Sequence, residues 1–348
     1  MSAVHSSKES ESAICVFFLK RLIIEPLFFL RISEKGVCTV KHIVDIKDLS
    51  GTEILSIVKR ALYLKKSRVV PRTLDRKYVV TAFFEPSTRT KLSFQRAALS
   101  LGAKVIDLAP DTSSMLKGET ELDTLLTIEA MDVDAIVIRT RRNGDPAKFS
   151  KHLQIPVINA GDGTNEHPTQ ALLDITTMYE HYGKFNLSVA IVGDINHSRV
   201  ARSLTEALAK LGGSVIFCGP EEFIPKSFPD VSLITTDLQE AISNVDVIYA
   251  LRIQKERIEE VCDNIEEFFK NYQINESNLE MAPKHAILMH PGPFNRNVEV
   301  SDGVVYSSRS RILDQVRNGV YSRMAVLEKA TGAYEYESIQ SIEKFVVI

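Results

Sequence analysis

From residue 70 onward, short apolar runs alternate with segments of helical period, the rhythm of β–α–β units that build parallel sheets. Runs at 78–84, 104–108, 135–139, 157–160, 188–192, 214–218, 245–251 and 286–289 read as strands, because each is a short apolar block ending in polar or turn residues. Helical period falls over 91–101, 119–131, 167–180, 198–211 and 308–330. Pro168 occupies a first-turn position where its missing N–H costs nothing, and Gly212-Gly213 closes the helix before it. A second βαβ rhythm opens after Val192. The pattern predicts an α/β chain of two similar domains, each a parallel sheet flanked by helices, with the functional cleft between them. Its divisions read as an amino-terminal extension over 1–44, a first domain over 45–180 completed by the helical region 309–348, and a second domain over 181–308, hinged near 165–185.

Composition narrows the class. The 348 residues are 44% hydrophobic and 25% charged, enough for two cores. A formal net charge of -3 gives no global basic field, so nucleic-acid binding has no compositional support, while a local cation cluster for a small anion remains open. Cys15, Cys38, Cys218 and Cys262 lack CxxC spacing, which argues against a zinc knuckle or disulfide framework and favours a reducing compartment. In the extension, Lys20, Arg21, Glu25, Pro26 and Arg31 interrupt the apolar stretches, leaving no run of about 18 residues for a membrane span. A targeting sequence, an added strand or helix, and a translated upstream segment all stay open. Glu9 and Glu11 sit poorly with an acid-poor import peptide, so the expectation is cytoplasmic, with organellar import kept as the alternative.

The chemistry concentrates where strands end. Pro86-Ser87-Thr88-Arg89-Thr90 follows one strand and opens a helix. The orphan N–H groups there, the positive end of the helix dipole, two kinds of hydroxyl and a guanidinium make a phosphate seat; the plainer account is a Ser/Thr cap beside a surface Arg. Arg139, His167 with Gln170, Arg199, Arg252 with Gln254, and His290-Pro291-Gly292-Pro293 follow other strands. His167 and Gln170 are three apart and share a helix face. Cations at several strand ends, without a carboxylate-rich metal cluster among them, call for a polyanionic ligand. Lys117, in the polar loop 112–120, reads from spacing alone as a solvated residue of a capping loop.

Residues 84–94, Phe-Glu-Pro-Ser-Thr-Arg-Thr-Lys-Leu-Ser-Phe, resemble the carbamoyl-phosphate signature of the transcarbamoylase family. The segments 167–174, 193–199, 252–257 and 290–293 resemble four further motifs in the branch that uses aspartate, and the match spans roughly 45–340. The ornithine branch carries His-Cys-Leu-Pro and Ser-Met-Gly where this chain has His290-Pro291-Gly292-Pro293 and Arg252-Ile253-Gln254. Cationic ornithine would also be repelled by Arg199 and Arg252, whereas two carboxylates match guanidinium forks.

The resemblance implies transfer of the carbamoyl group of carbamoyl phosphate to the α-amino nitrogen of L-aspartate, an early step of pyrimidine biosynthesis, without cofactor or metal. It implies that Ser87, Thr88, Arg89 and Thr90 hold phosphate, that Thr90, Arg139 and His167 face the carbonyl oxygen, and that Gln170 with the carbonyls of Pro291 and Gly292 orients the carbamoyl NH2. Arg199, Arg252 and Gln254 would take aspartate. Ser113 and Lys117 would reach a neighbouring subunit's site in a homotrimer, so the catalytic set is Arg89, Thr90, Arg139, His167 and Lys117. Glu85 resembles a residue linking the two domains through arginines. The chain departs from the family pattern at Lys91, Thr140 and Gly292. Competing readings are a transcarbamoylase for ornithine or another amine, a non-enzymatic scaffold relative, which expects damage among these cations, and a nucleotide-binding α/β protein, which lacks both GxGxxG and a P-loop here.

Overall fold

The computed structural model describes residues 31–33, 36–38, 41–109, 118–253 and 270–334. The chain divides into two units at residue 39. In the first, β1 (Arg31–Ser33) pairs antiparallel with β2 (Gly36–Cys38).

The second unit carries two all-parallel sheets. One has the order β4 (Lys104–Leu108), β3 (Tyr78–Phe83), β5 (Ala135–Thr140), β6 (Val157–Asp162). The other has the order β11 (Ile287–Met289), β10 (Val247–Ala250), β7 (Ser188–Val192), β8 (Ser214–Cys218), β9 (Val231–Thr235). Every residue of β5, β6 and β10 is buried, as expected of parallel strands covered on both faces. Strand order reverses between β3 and β5 in the first sheet and between β7 and β10 in the second, and such switch points leave a crevice at the strands' carboxyl ends.

The larger helices are α1 (Gly51–Lys66), α2 (Thr88–Ser100), α3 (Glu121–Glu129), α5 (Pro168–Tyr182), α6 (Arg199–Lys210) and α10 (Ile312–Ala330). Shorter ones are α4 (Asp145–Phe149), α7 (Leu238–Ile242), α8 (Glu276–Met281) and α9 (Asp302–Val305). Helix α10 packs on α1, α2 and α5, and α5 packs on α6. One continuous apolar core includes Ile57, Phe94, Ile175, Leu204 and Leu327 between the sheets, while separate clusters cover the outer faces around Ile136 and Ile248. Each such fully buried aliphatic or aromatic side chain contributes about 1.5–3 kcal/mol relative to exposure.

Strand expectations agree with the structure apart from a residue or two at ends. The short strands β1 and β2 and the short helices α4, α7, α8 and α9 escaped the pattern, as did two longer elements, α1 and β9. Helix α1 starts with a capping box, in which Ser50 accepts from the Glu53 N–H and Glu53 accepts from the Ser50 N–H. Strand β9 is a half-covered edge whose sequence, Val-Ser-Leu-Ile-Thr, mixes polar residues into the run. The helical pattern over 308–330 contracts to start at Ile312, because Arg309 folds back to donate to the carbonyls of Leu279, Pro283 and Ala286.

Candidate active site

A cleft of about 760 Å³ opens at the carboxyl ends of both sheets. Every described member of the expected set lines it: Ser87, Thr88, Arg89, Thr90, Arg139, His167, Gln170, Arg199, Arg252, Pro291 and Gly292. Ser113, Lys117 and Gln254 lie outside the described residues.

The seat at the start of α2 is prepared for an anion. Ser87 occupies the N-cap position with extended backbone, its side chain makes no capping hydrogen bond, and the first turn holds no acidic residue. The first-turn N–H groups therefore keep the positive end of the helix uncompensated. Burial, and then the charge of Arg252, lower the pKa of Arg89, so the charge of this guanidinium is penalised where it stands. Gly292, at φ +57°, lies against it; a side chain there would collide with the Arg89 guanidinium.

A second cationic group forms around Glu85. Its Oε1 accepts from Arg139 Nη2 at 2.7 Å and from Arg199 Nη2 at 3.2 Å, and its Oε2 accepts from Arg199 Nη1 at 3.3 Å. Burial pushes the carboxyl up, but the hydrogen bonds and charges of Arg199 and Arg139 outweigh it and hold Glu85 below its ordinary value. Arg139 also donates to Ala160 O at 3.1 Å and Arg199 to Gly163 O at 2.9 Å. Gly161, at φ +114°, permits this convergence, since a Cβ would lie 3.1 Å from Arg139 Nη1 and 3.2 Å from Arg199 Cζ.

His167 caps α5, and its backbone N–H donates to Ser203 Oγ at 2.8 Å. Burial, followed by the positive charges of Arg139, Arg199 and Arg323, drives its pKa well below the usual histidine value. The ring is neutral, and its buried Nδ1 has no hydrogen-bond partner. It suits a donor to a developing oxyanion better than a charged acid.

Sequence reasoning missed several groups. Arg323, on the buried side of α10, lines the cleft, donates to Ser93 Oγ at 2.8 Å and has an unpartnered buried Nε. Its only local signal was a charged residue inside an apolar helical stripe. Asp174, Gln315 and His197 also escaped; His197 lines the cleft with Nδ1 2.7 Å from Asp194 Oδ1. Beside His167, Asp45, Glu166 and Glu206 bring carboxylate oxygens within 4.8 Å of one another, and Glu166 is tied to Asp162 at the end of β6. Burial raises Glu166 to about 8, so it stays protonated near neutrality, which relieves the repulsion in that trio.

Comparison with known proteins agrees with this geometry. Residues 41–180 match the carbamoyl-P binding domain of aspartate/ornithine carbamoyltransferase, and residues 186–329 match the Asp/Orn binding domain. Aspartate carbamoyltransferase catalytic subunits from Solibacter usitatus and Thermus thermophilus are each 45% identical, over 83% of this chain and 99% and 97% of theirs. Among solved structures, aspartate transcarbamoylase from Trypanosoma cruzi in complex with carbamoyl phosphate and aspartate superposes with a TM-score of 0.76 at 29% identity, covering 83% of this chain and 96% of that one. The catalytic subunit of M. jannaschii aspartate transcarbamoylase gives 0.76 at 34%, covering 84% and 98%. Ornithine carbamoyltransferase from Pyrococcus furiosus gives 0.77 at 29%, covering 85% and 99%, so backbone shape does not separate the branches. Two matched domains, meeting at a cleft whose cations come from both, leave one conclusion: the chain belongs to the aspartate/ornithine carbamoyltransferase family.

Proposed function

We propose that this chain is the catalytic chain of an aspartate carbamoyltransferase, which moves the carbamoyl group of carbamoyl phosphate to the α-amino nitrogen of L-aspartate and releases phosphate. The observation that carries this reading is the meeting of Arg89, Arg139, Arg199 and Arg252 with neutral His167 in one cleft. Two anionic reactants need such a cation set, and a second substrate with a cationic side chain would be repelled by it. The similarity of about 45% to aspartate-using catalytic subunits points the same way.

In this reading the start of α2 holds the phosphoryl group, with Arg89 following negative charge onto the leaving phosphate. Arg139, His167 and Thr90 face the carbonyl oxygen, where tetrahedral addition places an oxyanion; preorganised donors act there without reorganisation. Gln170 and the carbonyls of Pro291 and Gly292 receive the carbamoyl NH2. Arg199, Arg252 and Gln254 take the carboxylates of aspartate. The leaving phosphate accepts the amine proton, so no separate base is required. Holding two anions in attack geometry supplies the remainder of the rate. The halves 45–180 with 309–348 and 181–308 serve as the carbamoyl-phosphate and aspartate domains, and Glu85 ties them through Arg139 and Arg199.

Ser113 and Lys117 complete a neighbour's site in a homotrimer. No helix among the described residues is long and apolar enough to cross a membrane. The acidic Glu9 and Glu11 favour the cytoplasm, with organellar import as the alternative. The test is a carbamoylation assay on purified protein with aspartate and ornithine as competing acceptors, with assembly mass recorded. Carbamoylaspartate as the product and a trimeric mass are expected; exclusive carbamoylation of ornithine would overturn the acceptor assignment. Mixing inactive Arg89→Ala and Lys117→Ala chains should restore activity through hybrid sites, and zero recovery after verified exchange would refute sharing.

A further inference from the structure

A buried carboxylate behind the cleft sets which way the cleft's amides face. Asp174 lies one turn beyond Gln170 on α5 and is wholly enclosed. Its Oδ1 accepts from Gln170 Nε2 at 3.0 Å and from Gln315 Nε2 at 2.8 Å, and its Oδ2 accepts from Tyr249 Oη at 2.6 Å. The three donors come from α5, α10 and the second sheet's β10, so the carboxylate is held from every side.

A carboxylate only accepts hydrogen bonds, so each amide must turn its nitrogen inward. Reversing either amide would set a carbonyl oxygen against a buried anion, and this decides an orientation that atomic positions alone leave ambiguous. The outward atom of both side chains is then oxygen. For Gln315 this is realised, because its Oε1 accepts from the His290 N–H at 2.9 Å. That bond anchors the loop 290–293, in which His290 Nδ1 accepts from the Gly292 N–H at 2.7 Å. Gln170 itself lines the cleft with Pro291 and Gly292, so with its nitrogen turned to Asp174 the oxygen is the amide atom left for a ligand.

We propose that Asp174 is a positioning residue that, through Gln170 and Gln315, turns a hydrogen-bond acceptor toward this end of the cleft, so that it selects an acyl phosphate bearing an NH2 group over one bearing a methyl. This rests on the carbamoyl-phosphate reading above and deepens it, since it names what separates carbamoyl phosphate from its isosteres. A methyl would leave a buried acceptor unpaired.

The probes are carbamoyl phosphate and acetyl phosphate, which differ by NH2 against CH3, titrated calorimetrically into the full-length protein. Burial lifts the Asp174 carboxyl to about 7 against the hydrogen bonds of Tyr249, Gln315 and Gln170, so titrations are run at pH 8, where the acceptor-only form prevails. Wild type should prefer carbamoyl phosphate by about tenfold or more, the cost of one unpaired buried acceptor. Asp174→Asn, which can present a donor to either amide, should cut that preference to about threefold or less while inorganic phosphate binds as before. Tyr249→Phe removes a donor but keeps the carboxylate, and should keep the preference. If Asp174→Asn fails to fold, Gln170→Met, which removes the outward oxygen together with the nitrogen that meets Asp174, must show the same loss.

An Asp174→Asn or Gln170→Met protein with wild-type preference overturns the assignment. So does a Tyr249→Phe protein that loses the preference as fully, because general loosening of the core would then explain the effect. Product formation by wild type is scored separately: no carbamoylaspartate from wild type refutes the activity, whereas an active wild type with an unchanged variant preference refutes only the role of Asp174.

Discussion

Glu85→Gln separates two opposite expectations for the cationic cleft. Charge counting alone says that removing an anion should tighten aspartate binding. Geometry says otherwise, since Glu85 holds Arg139 at 2.7 Å and Arg199 at 3.2 and 3.3 Å. Unit charges roughly 4 Å apart at an effective dielectric near 20 interact by about 4 kcal/mol, and Glu85 makes two such pairs. Its side chain is 26% exposed, so solvent weakens both. Truncating one partner of a hydrogen-bonded charge pair costs about 2–5 kcal/mol. Glutamine keeps the shape but places an NH2 donor against one guanidinium, which releases Arg199 from its bridge. If about 1.4–2.8 kcal/mol of the loss reaches the transition state, kcat/KM for aspartate falls about 10–100-fold. Steady-state carbamoylation with aspartate varied at saturating carbamoyl phosphate measures it, with phosphate inhibition as the control for the intact seat on α2. A kcat/KM within twofold of wild type, or a lower KM for aspartate, would refute the positioning argument in favour of bulk charge.

Three further changes test other parts of the molecule. Arg89→Ala should lower turnover about 10²–10³-fold, the effect of losing one preorganised donor to developing charge, and wild-type turnover from the purified variant would remove Arg89 from the site. Glu328→Gln should cost about 3–5 kcal/mol in denaturant unfolding, because Glu328 is fully buried and accepts from Arg60 Nε at 2.7 Å and Nη2 at 2.8 Å, so the change takes the buried carboxylate charge away from that guanidinium; a loss under 1 kcal/mol would mean the pair is replaceable. Glu166, raised to about 8 by burial and by Asp45, Glu206 and Asp162 against its bond to Ser203, binds a proton in the folded state that the unfolded chain releases above about pH 4.5. Wild type should therefore lose stability as pH rises from about 5 to 8 while Glu166→Gln loses less, and parallel Tm curves over that range would show that Glu166 ionises freely.

What the sequence revealed and what it hid divide along one physical line. Arg89, Arg139, His167, Arg199 and Arg252 were legible because each follows a strand of recognisable pattern, and parallel sheets direct whatever follows their strands toward one crevice. The start of α2 was legible for the same reason: strand, hydroxyl cap and helix are contiguous. Helix α1 carried its own signal in Ser50 and Glu53, whereas β9 is an edge with no clean alternation to read. The hidden layer is non-local. Asp174 meets Tyr249 and Gln315, residues 75 and 141 positions away, and Arg323 reaches Ser93 across 230 positions. A motif names atoms that touch a ligand, because those must sit at strand ends; the atoms that aim them are supplied by any element the fold carries past. Gln170 was therefore readable as a cleft residue, whereas the direction of its amide depends on a carboxylate whose other partners lie on a different sheet and on the last long helix. On the proposed reading, whether the cleft distinguishes NH2 from methyl is a property of the packed interior, and Arg323, which lines the cleft from α10, stands in no strand-end motif.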